Sequence, residues 1–282
     1  MSARTPKTEL RTVEKLREHY EIEKELARTL RNASKEERRL LYTALYDELY
    51  RRVPHHPQLT RKASETAQQE TVSRQLKLLQ RFLQPTSTFM EIGPGDCSLS
   101  LAVARLTRKV YALDVSAEIT KRRDLPTNFQ LILSDGCSVP VPRCSVHVAY
   151  SDQLMEHLHP DDAQEQLRNI YQALAPGGVY ICITPNRLNG PHDVSQYFDD
   201  IATGFHLKEY TTSELISAFT QTGFSKFWVA VGVKGRFAFL PTLSVRWIES
   251  ALARCPRLLR KTIASRFPLR SLLGVLLIAQ KP

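Results

Sequence analysis

From residue 88 onward, short apolar runs alternate with amphipathic stretches, and that rhythm admits few folds. "TFMEI", "KVYALDVS", "FQLILSD", "VHVAYSD" and "GVYICIT" read as strands, with helical patterns in "SLSLAVARLT" and "PDDAQEQLRNIYQAL" between them. Strands that alternate with helices predict an α/β fold, a parallel sheet with helices on both faces. "TSELISAFTQTGF" predicts a further helix stopped at Gly223. "KFWVAVGV" and "LLGVLLIAQ" supply a sixth and a seventh strand, with a basic helical insertion at about 239–270 between them.

The first 84 residues follow a different rule. Segments 8–31 and 35–53 have helical spacing and few breakers, and Ser34 with Glu37 three residues later makes a capping-box pattern. "PHHPQLT" breaks the chain, and a third helix at about 63–83 places Val72, Leu76, Leu79 and Phe82 on one face. The expected division is therefore an N-terminal helical extension over 1–84 and a larger α/β domain over 85–282.

Charge is distributed unevenly along the chain. The formal net charge is +10. Residues 1–84 carry 18 Lys/Arg against 12 Asp/Glu, residues 85–225 carry 10 against 16, and residues 226–282 carry 11 against 1. Basic ends around an acidic middle mean either contact with nucleic acid or an anionic membrane surface, or only a solvated face. In 241–267, Trp247, Ile248, Ala251 and Leu252 can share a face, as can Leu258, Leu259 and Ile263 beyond Pro256. Such a segment either lies on an anionic membrane or packs as a cover over the sheet, and the cover is preferred, with the N-terminal helices as the other half of a lid. The longest apolar run, near "SLLGVLLIAQ", is about half of the ~20 residues a membrane helix needs. The start "MSARTPKTELRTVEKL" lacks the apolar core of a secretion signal. A cytoplasmic protein is expected, with peripheral membrane contact through 241–267 as an option. Cys97, Cys137, Cys144, Cys182 and Cys255 form no CxxC pair, so no metal site and no disulfide framework are expected.

The stretch "FMEIGPGDCSLSLAVA" holds a strand, a glycine loop and the start of a helix. Such a loop presents backbone N–H groups at a helix N-terminus. A dinucleotide fingerprint needs a third glycine where Ser98 stands. Glu91, two residues before Gly93, suits a positively charged ligand better than a pyrophosphate. Asp114 ends the second strand, where a carboxylate can accept both hydroxyls of a ribose. Asp135 ends the third, where it could accept from an adenine amino group. Singly, Glu91 could cap a turn and Asp114 could close a strand. Together they describe a nucleoside with a cationic tail.

"EIGPGD", "VYALDVS", "ILSDG", "YSDQLMEHL" and "LAPGGVYICITPNR", in this order, resemble successive motifs of the class I S-adenosylmethionine-dependent methyltransferases, nearest to small-molecule and quinone-type O-methyltransferases. The resemblance covers about 85–225 and, weakly, the last strand. It implies a Rossmann-like, doubly wound, seven-stranded, mostly parallel sheet and S-adenosyl-L-methionine as cofactor. It implies that Glu91, Gly93, Pro94 and Gly95 shape the methionine pocket, that Asp114 and Val115 hold the ribose, that Asp135 and Gly136 flank the adenine, and that Ser151 and Gln153 floor the space between cofactor and acceptor. The chain departs from the pattern at Cys97, where the family often has glycine, and at His147, where it usually has aspartate. Cys97 is read as a packing residue.

Methyl transfer is an in-line displacement, so positioning dominates, and a hydroxyl acceptor can need a base. His157, His192 and His206 are the candidates, with His159 beside them. The long segment "PNRLNGPHDVSQYFDDIATGFHLKEYT" is expected to wall the acceptor site. "SDQL" replaces the Asn/Asp-Pro-Pro-aromatic grip on planar amines, and no Pro-Cys nucleophile is present. A small-molecule, lipid or glycan acceptor is therefore expected and DNA is not. An RNA methyltransferase is a rival, weakened because 1–83 holds no recognisable RNA-binding module. A silent cofactor-binding protein is another.

Overall fold

Thr12 and Ser34 start the first two helices. Thr12 Oγ1 accepts the Lys15 N–H at 3.3 Å ahead of α1 (Val13–Asn32). Ser34 and Glu37 satisfy each other's backbone N–H groups at the start of α2 (Lys35–Arg52), the capping box that the sequence predicts. The computed structural model describes residues 9, 11–57, 65–116, 125–233, 236–264 and 266–282. The start of the third expected helix lies outside them. The rest of it is α3 (Glu65–Leu79).

The α/β part then runs β1 (Thr88–Ile92), α4 (Ser98–Ala104), β2 (Lys109–Asp114), β3 (Phe129–Leu133), β4 (Val146–Asp152), α5 (Pro160–Ala173), β5 (Leu174–Pro185), α6 (Thr212–Thr222), β6 (Lys226–Val233), β7 (Arg236–Pro241), α7 (Thr242–Ala253), α8 (Arg257–Ala264), α9 (Leu269–Leu272) and β8 (Gly274–Gln280). The sheet order is β3-β2-β1-β4-β5-β8-β6-β7. β1 pairs parallel with both β2 and β4, and β5 to β7 are joined through β8 by antiparallel pairs. The chain winds outward from β1 to β3 in one direction and from β4 to β5 in the other. The crevice at the carboxyl ends of β1 and β4 is thus the topological switch point, where open α/β sheets bind ligands.

Among the described residues the sheet has eight strands, one more than the sequence predicts, and it is mixed. β7 is the addition. Phe237 and Phe239 alternate on it and are partly buried against the α3 side of the core, and Phe239 meets Phe82 with ring centroids 6.2 Å apart. That burial turns the chain back along β6, so the helical insertion begins at Thr242 rather than 239. The face expected for α7 also differs. Val245, Glu249 and Leu252 point inward, while Trp247 is 70% exposed. Glu249 accounts for the shift, because its carboxylate accepts from Asn186 Nδ2 and Thr212 N at 2.7 Å each and pulls its side of the helix onto the body.

All five residues of β1 are buried. Phe89 belongs to the cluster under α3 and α4, Met90 and Ile92 to the one under α1, α2, α5 and α6. This is the two-residue alternation of a strand covered on both faces. Because Leu26, Leu30, Tyr42 and Leu49 share the second cluster, the N-terminal helices pack onto the sheet itself. Among the described residues no helix is long and apolar enough to cross a membrane.

Candidate functional site

β1 ends in a loop whose backbone needs glycine. Gly93 has φ +71° and Gly95 φ +54°, the left-handed region that side chains with a Cβ rarely enter. A Cβ at Gly93 would meet Leu154 Cδ1 at 3.3 Å, whereas one at Gly95 would meet nothing within 4 Å. Cys97 adopts φ +63° and is 1% exposed. The glycine that the family often has there would relieve this geometry, and the buried thiol is a packing group.

A cleft of about 340 Å3 opens beside this loop. Gly93, Gly95, Asp114, Val115, Gly136 and Gln153 form one wall, and α2 closes the other with Tyr42, Thr43, Tyr46 and Asp47. Asp114 accepts the Ser116 N–H at 2.8 Å. Burial raises its carboxyl above the usual range, against backbone N–H groups of Ser116, Val115 and Gly95 that favour the charge. Gly136 has φ +86°, and a Cβ there would come within 3.2 Å of the Tyr42 ring. Thr43 Oγ1 donates to the Val115 carbonyl at 2.8 Å, tying α2 across the cleft.

Glu91, Pro94, Asp135 and Ser151 do not form part of that wall. Glu91 is 6% exposed and takes a short hydrogen bond from Ser100 Oγ. Burial pushes its carboxyl up to about 8, and the nearby Asp152 and Asp96 add to the shift. Asp135 caps its own turn, accepting from Cys137 N at 2.9 Å and Ser138 N at 2.6 Å, and pairs with Arg39 at 3.4 Å. Ser151 is buried and bonded to Tyr180 at 2.7 Å. His147 Nδ1 accepts the Thr88 N–H at 3.1 Å, which gives the departure at that position a structural role.

A second cavity of about 390 Å3 shares Tyr46, Gln153 and His157 with the first. Gln153 stands at the junction with φ +54°, where its N–H donates to Ile183 O at 2.9 Å. His157, His192 and His206 all reach this second cavity, and His159 does not. His159 instead caps α5, accepting the Asp161 N–H at 3.3 Å. His157 Nδ1 faces the Phe205 carbonyl at 3.1 Å, and burial brings the ring down to about 4. His206 Nδ1 lies 2.7 Å from Glu209 Oε1 and His192 Nδ1 3.3 Å from Oε2. For His206, burial favours the neutral ring, but Glu209 and Asp193 outweigh it and the ring is raised. Glu209 is buried, yet its two histidines hold it at about 2. A third cleft of about 450 Å3, lined among others by Gln75, Asp152 and Arg270, also reaches Gln153 and His192.

Sequence reasoning missed Tyr46, Glu156, Glu209 and the α1 pair His19 and Glu23, whose side chains lie 3.1 Å apart. One signal was available for the pair: both polar residues sit on the apolar face of α1, between Leu16 and Leu26.

Residues 90–182 match the family of methyltransferase domains. The chain is 28% identical over 136 residues to a protein of Mycolicibacterium smegmatis named "Probable S-adenosylmethionine-dependent methyltransferase", covering 48% of this chain and 51% of that one. It is 28% identical over 120 residues to the carboxy-S-adenosyl-L-methionine synthase of Hydrogenovibrio crunogenus, covering 37% and 45%. The chain thus spans about half the length of the curated relatives it matches. Among solved structures, phosphoethanolamine N-methyltransferase 1 of Haemonchus contortus, in complex with phosphoethanolamine and S-adenosylhomocysteine, superposes with a TM-score of 0.55 at 16% identity, over 89% of this chain and 50% of that one. A methyltransferase of Haloferax volcanii bound to the Trm112 activator gives 0.53 at 15%, over 77% and 93%. At these identities the likeness shows the fold. The matched residues run from β1 to β5, so the parallel half of the sheet and the turns facing the cleft lie inside them: residues 90–182 of this chain are a methyltransferase domain.

Proposed function

We propose that the chain methylates a hydroxyl of a small organic, lipid or glycan acceptor seated in the histidine-lined cavity. S-adenosylmethionine supplies a sulfonium methyl whose leaving group is a neutral thioether. The residues present fit that cofactor. The glycine loop leaves room for backbone approach, Asp114 is a buried acceptor at the tip of β2, and the Tyr42 and Tyr46 side chains offer flat apolar walls. The observation that carries the reading is the shared wall: Tyr46, Gln153 and His157 border both the cofactor cleft and the polar cavity, so donor and acceptor can meet there.

Of the three histidine candidates, His192 suits the role of base. Its side chain is 31% exposed and is backed by the Glu209 carboxylate, which orients the ring. His157, at about 4, is too weak a base near neutral pH. The acceptor O–H gives its proton to His192 and its oxygen bonds to the methyl carbon. The carbon–sulfur bond breaks with its electron pair going to sulfur, and the products are a methyl ether and S-adenosylhomocysteine. Calorimetry with S-adenosylhomocysteine and NAD tests the donor site, and mass spectrometry of products from an acceptor panel tests the transfer. Binding of NAD alone would overturn the reading. So would a modified S-adenosylmethionine appearing in place of S-adenosylhomocysteine, the outcome that the name of the Hydrogenovibrio relative suggests. RNA affinity that falls steeply with salt would favour the nucleic-acid rival.

We also propose that the insertion rests on an anionic membrane surface. Leu243, Trp247, Leu258 and Phe267 are 63–72% exposed, and they stand among Arg246, Arg254, Arg260, Arg266 and Arg270. Glu249, the one acidic residue of 226–282, is turned inward. Basic residues interleaved with exposed apolar ones suit anionic lipid headgroups. The full chain should sediment with vesicles containing phosphatidylserine and not with phosphatidylcholine alone. Trp247→Ser with Leu258→Ser should abolish it. Equal binding to both vesicles, or to neither, would sink the proposal.

A further inference from the structure

Glu156, His157 and His206 each bring one donor atom to within 4.8 Å of the others. They come from two places in the chain. The first two form a 3-10 turn after β4 (Met155–His157), and the third follows the long loop behind β5. The tautomers are set from behind. A carbonyl can only accept, so His157 Nδ1 must carry a proton to meet Phe205 O at 3.1 Å. The Glu209 carboxylate imposes the same on His206 Nδ1 at 2.7 Å. Each neutral ring then keeps its lone pair on Nε2. Histidines that donate from one nitrogen to a carbonyl or carboxylate and coordinate through the other are the usual arrangement at metal sites.

An independent observation sits beside the rings. Glu156 is 0% exposed, and while its Oε2 accepts from Thr184 Oγ1 at 2.9 Å, its Oε1 has no hydrogen-bond partner among the described residues. Leaving a buried carboxylate oxygen unsatisfied costs about 1–3 kcal/mol, more if charged, and a cation would satisfy it.

The geometry points to a divalent transition-metal site made by Glu156, His157 and His206, with open positions for an acceptor oxygen. Two imidazoles and one carboxylate suit zinc or iron rather than magnesium or calcium. Three protein ligands with a fourth position open is the catalytic pattern. Bonds of about 2.0–2.2 Å need the three donors drawn slightly together. His157 borders both clefts, so the ion would polarise an acceptor hydroxyl beside the methyl donor and ease its proton toward His192. In this respect the inference rests on the proposed methyl transfer. The sequence reading expects no metal because its cysteines form no CxxC pair, and residues 156, 157 and 206 show no ligand spacing that would correct it. A second cluster, His19, Glu23 and His56, is the weaker candidate. His19 meets the Arg11 guanidinium at 2.7 Å through Nδ1 and Glu23 at 3.1 Å through Nε2, so both of its ring nitrogens are engaged.

The test uses the chelator-treated full chain titrated with Co2+ alone and followed by visible absorption, with metal content measured after dialysis against Zn2+. One ion per chain is expected. His206→Ala and Glu156→Gln should each weaken binding at least about tenfold, and the supporting change Glu209→Gln about 10–100-fold. His56→Ala should leave it unchanged. S-adenosylhomocysteine binding, measured on the same samples, reports both folding and the donor site. Retained nucleoside binding with no cobalt bound, or with cobalt lost only in His56→Ala, overturns the metal site and leaves the methyltransferase reading standing. Cobalt bound without any nucleoside affinity overturns the methyltransferase reading instead.

Discussion

Arg38 and Asp162 face each other in a two-pronged ion pair, Nε to Oδ2 at 2.6 Å and Nη2 to Oδ1 at 2.8 Å, with 5% and 0% of their side chains exposed. The Tyr42 hydroxyl donates to the same carboxylate at 2.7 Å and accepts the His159 N–H at 2.9 Å. This contact fixes α2, the cover of the cleft beside Gly93, onto the first turn of α5. Removing one partner strands the other. Arg38→Ala should cost about 3–5 kcal/mol in urea unfolding, while Tyr42→Phe should cost about 1 kcal/mol. Replacing Arg38 and Asp162 together with Met and Leu should restore most of the loss, since a packed apolar pair can equal a buried ionic one. A loss under 1 kcal/mol in Arg38→Ala would mean that α2 is held elsewhere.

Asp114 offers the direct test of the cofactor cleft. Asp114→Ala should weaken S-adenosylhomocysteine at least tenfold, about 1.4 kcal/mol, in calorimetry. Its local backbone bond to Ser116 is replaceable by water, so the melting temperature should fall only slightly. Unchanged affinity would show that the ribose lies elsewhere.

The parallel half of the fold was legible because each of its strands is a short, mostly apolar run and helical patterns lie between them. Asp114 read as the end of the second strand and is the last residue of β2, whereas Asp135, expected to end the third, lies two residues past β3 in a turn that it caps itself. The β7 hairpin was not legible. Phe237 and Phe239 pack against a helix more than 150 residues away in sequence, and no local pattern tells that edge strand from the start of an insertion. Trp247 misled for a related reason: the facing of α7 is set by Glu249 binding Asn186 and Thr212, a polar contact that a hydrophobic pattern does not register. The histidines were visible as residue types. Their wiring through Glu209 and Phe205 depends on where the loop folds back, so residue type alone does not distinguish a base from a ligand.

Glu91 makes the stability of the unliganded protein depend on pH. Its carboxyl sits at about 8 in the folded chain against an ordinary 4.5. Between those values the unfolded chain loses a proton that the folded chain keeps. Its contribution is therefore fully present below about 4.5 and declines as pH rises, by up to about 1.4 kcal/mol per unit, until about 8. Glu91→Gln cannot titrate. The stability difference between variant and wild type should shift in favour of the variant from pH 5 to pH 8, as read by urea unfolding at each pH. A constant difference would mean that the buried acid is already ionised.

Cys97 tests whether the departure in the glycine loop is tolerated or used. The left-handed conformation costs a residue with a Cβ about 1–2 kcal/mol. Glycine at 97 would recover that but forfeit a buried thiol and add freedom to the unfolded chain. The effects oppose each other, so Cys97→Gly should change stability by no more than about 1 kcal/mol. Cys97→Val, with a branched Cβ at positive φ, should lose about 2–3 kcal/mol. A packing role also fixes the chemistry of the thiols. Cys97, Cys137 and Cys182 are buried while Cys144 is exposed, and burial drives the Cys137 and Cys182 thiols up to about 12. In a native-state titration with a thiol reagent, Cys144 should be labelled first, and Cys97 should react only on unfolding. Rapid labelling of Cys97 in the folded protein would show instead that the loop opens and that its cysteine is a reactive group.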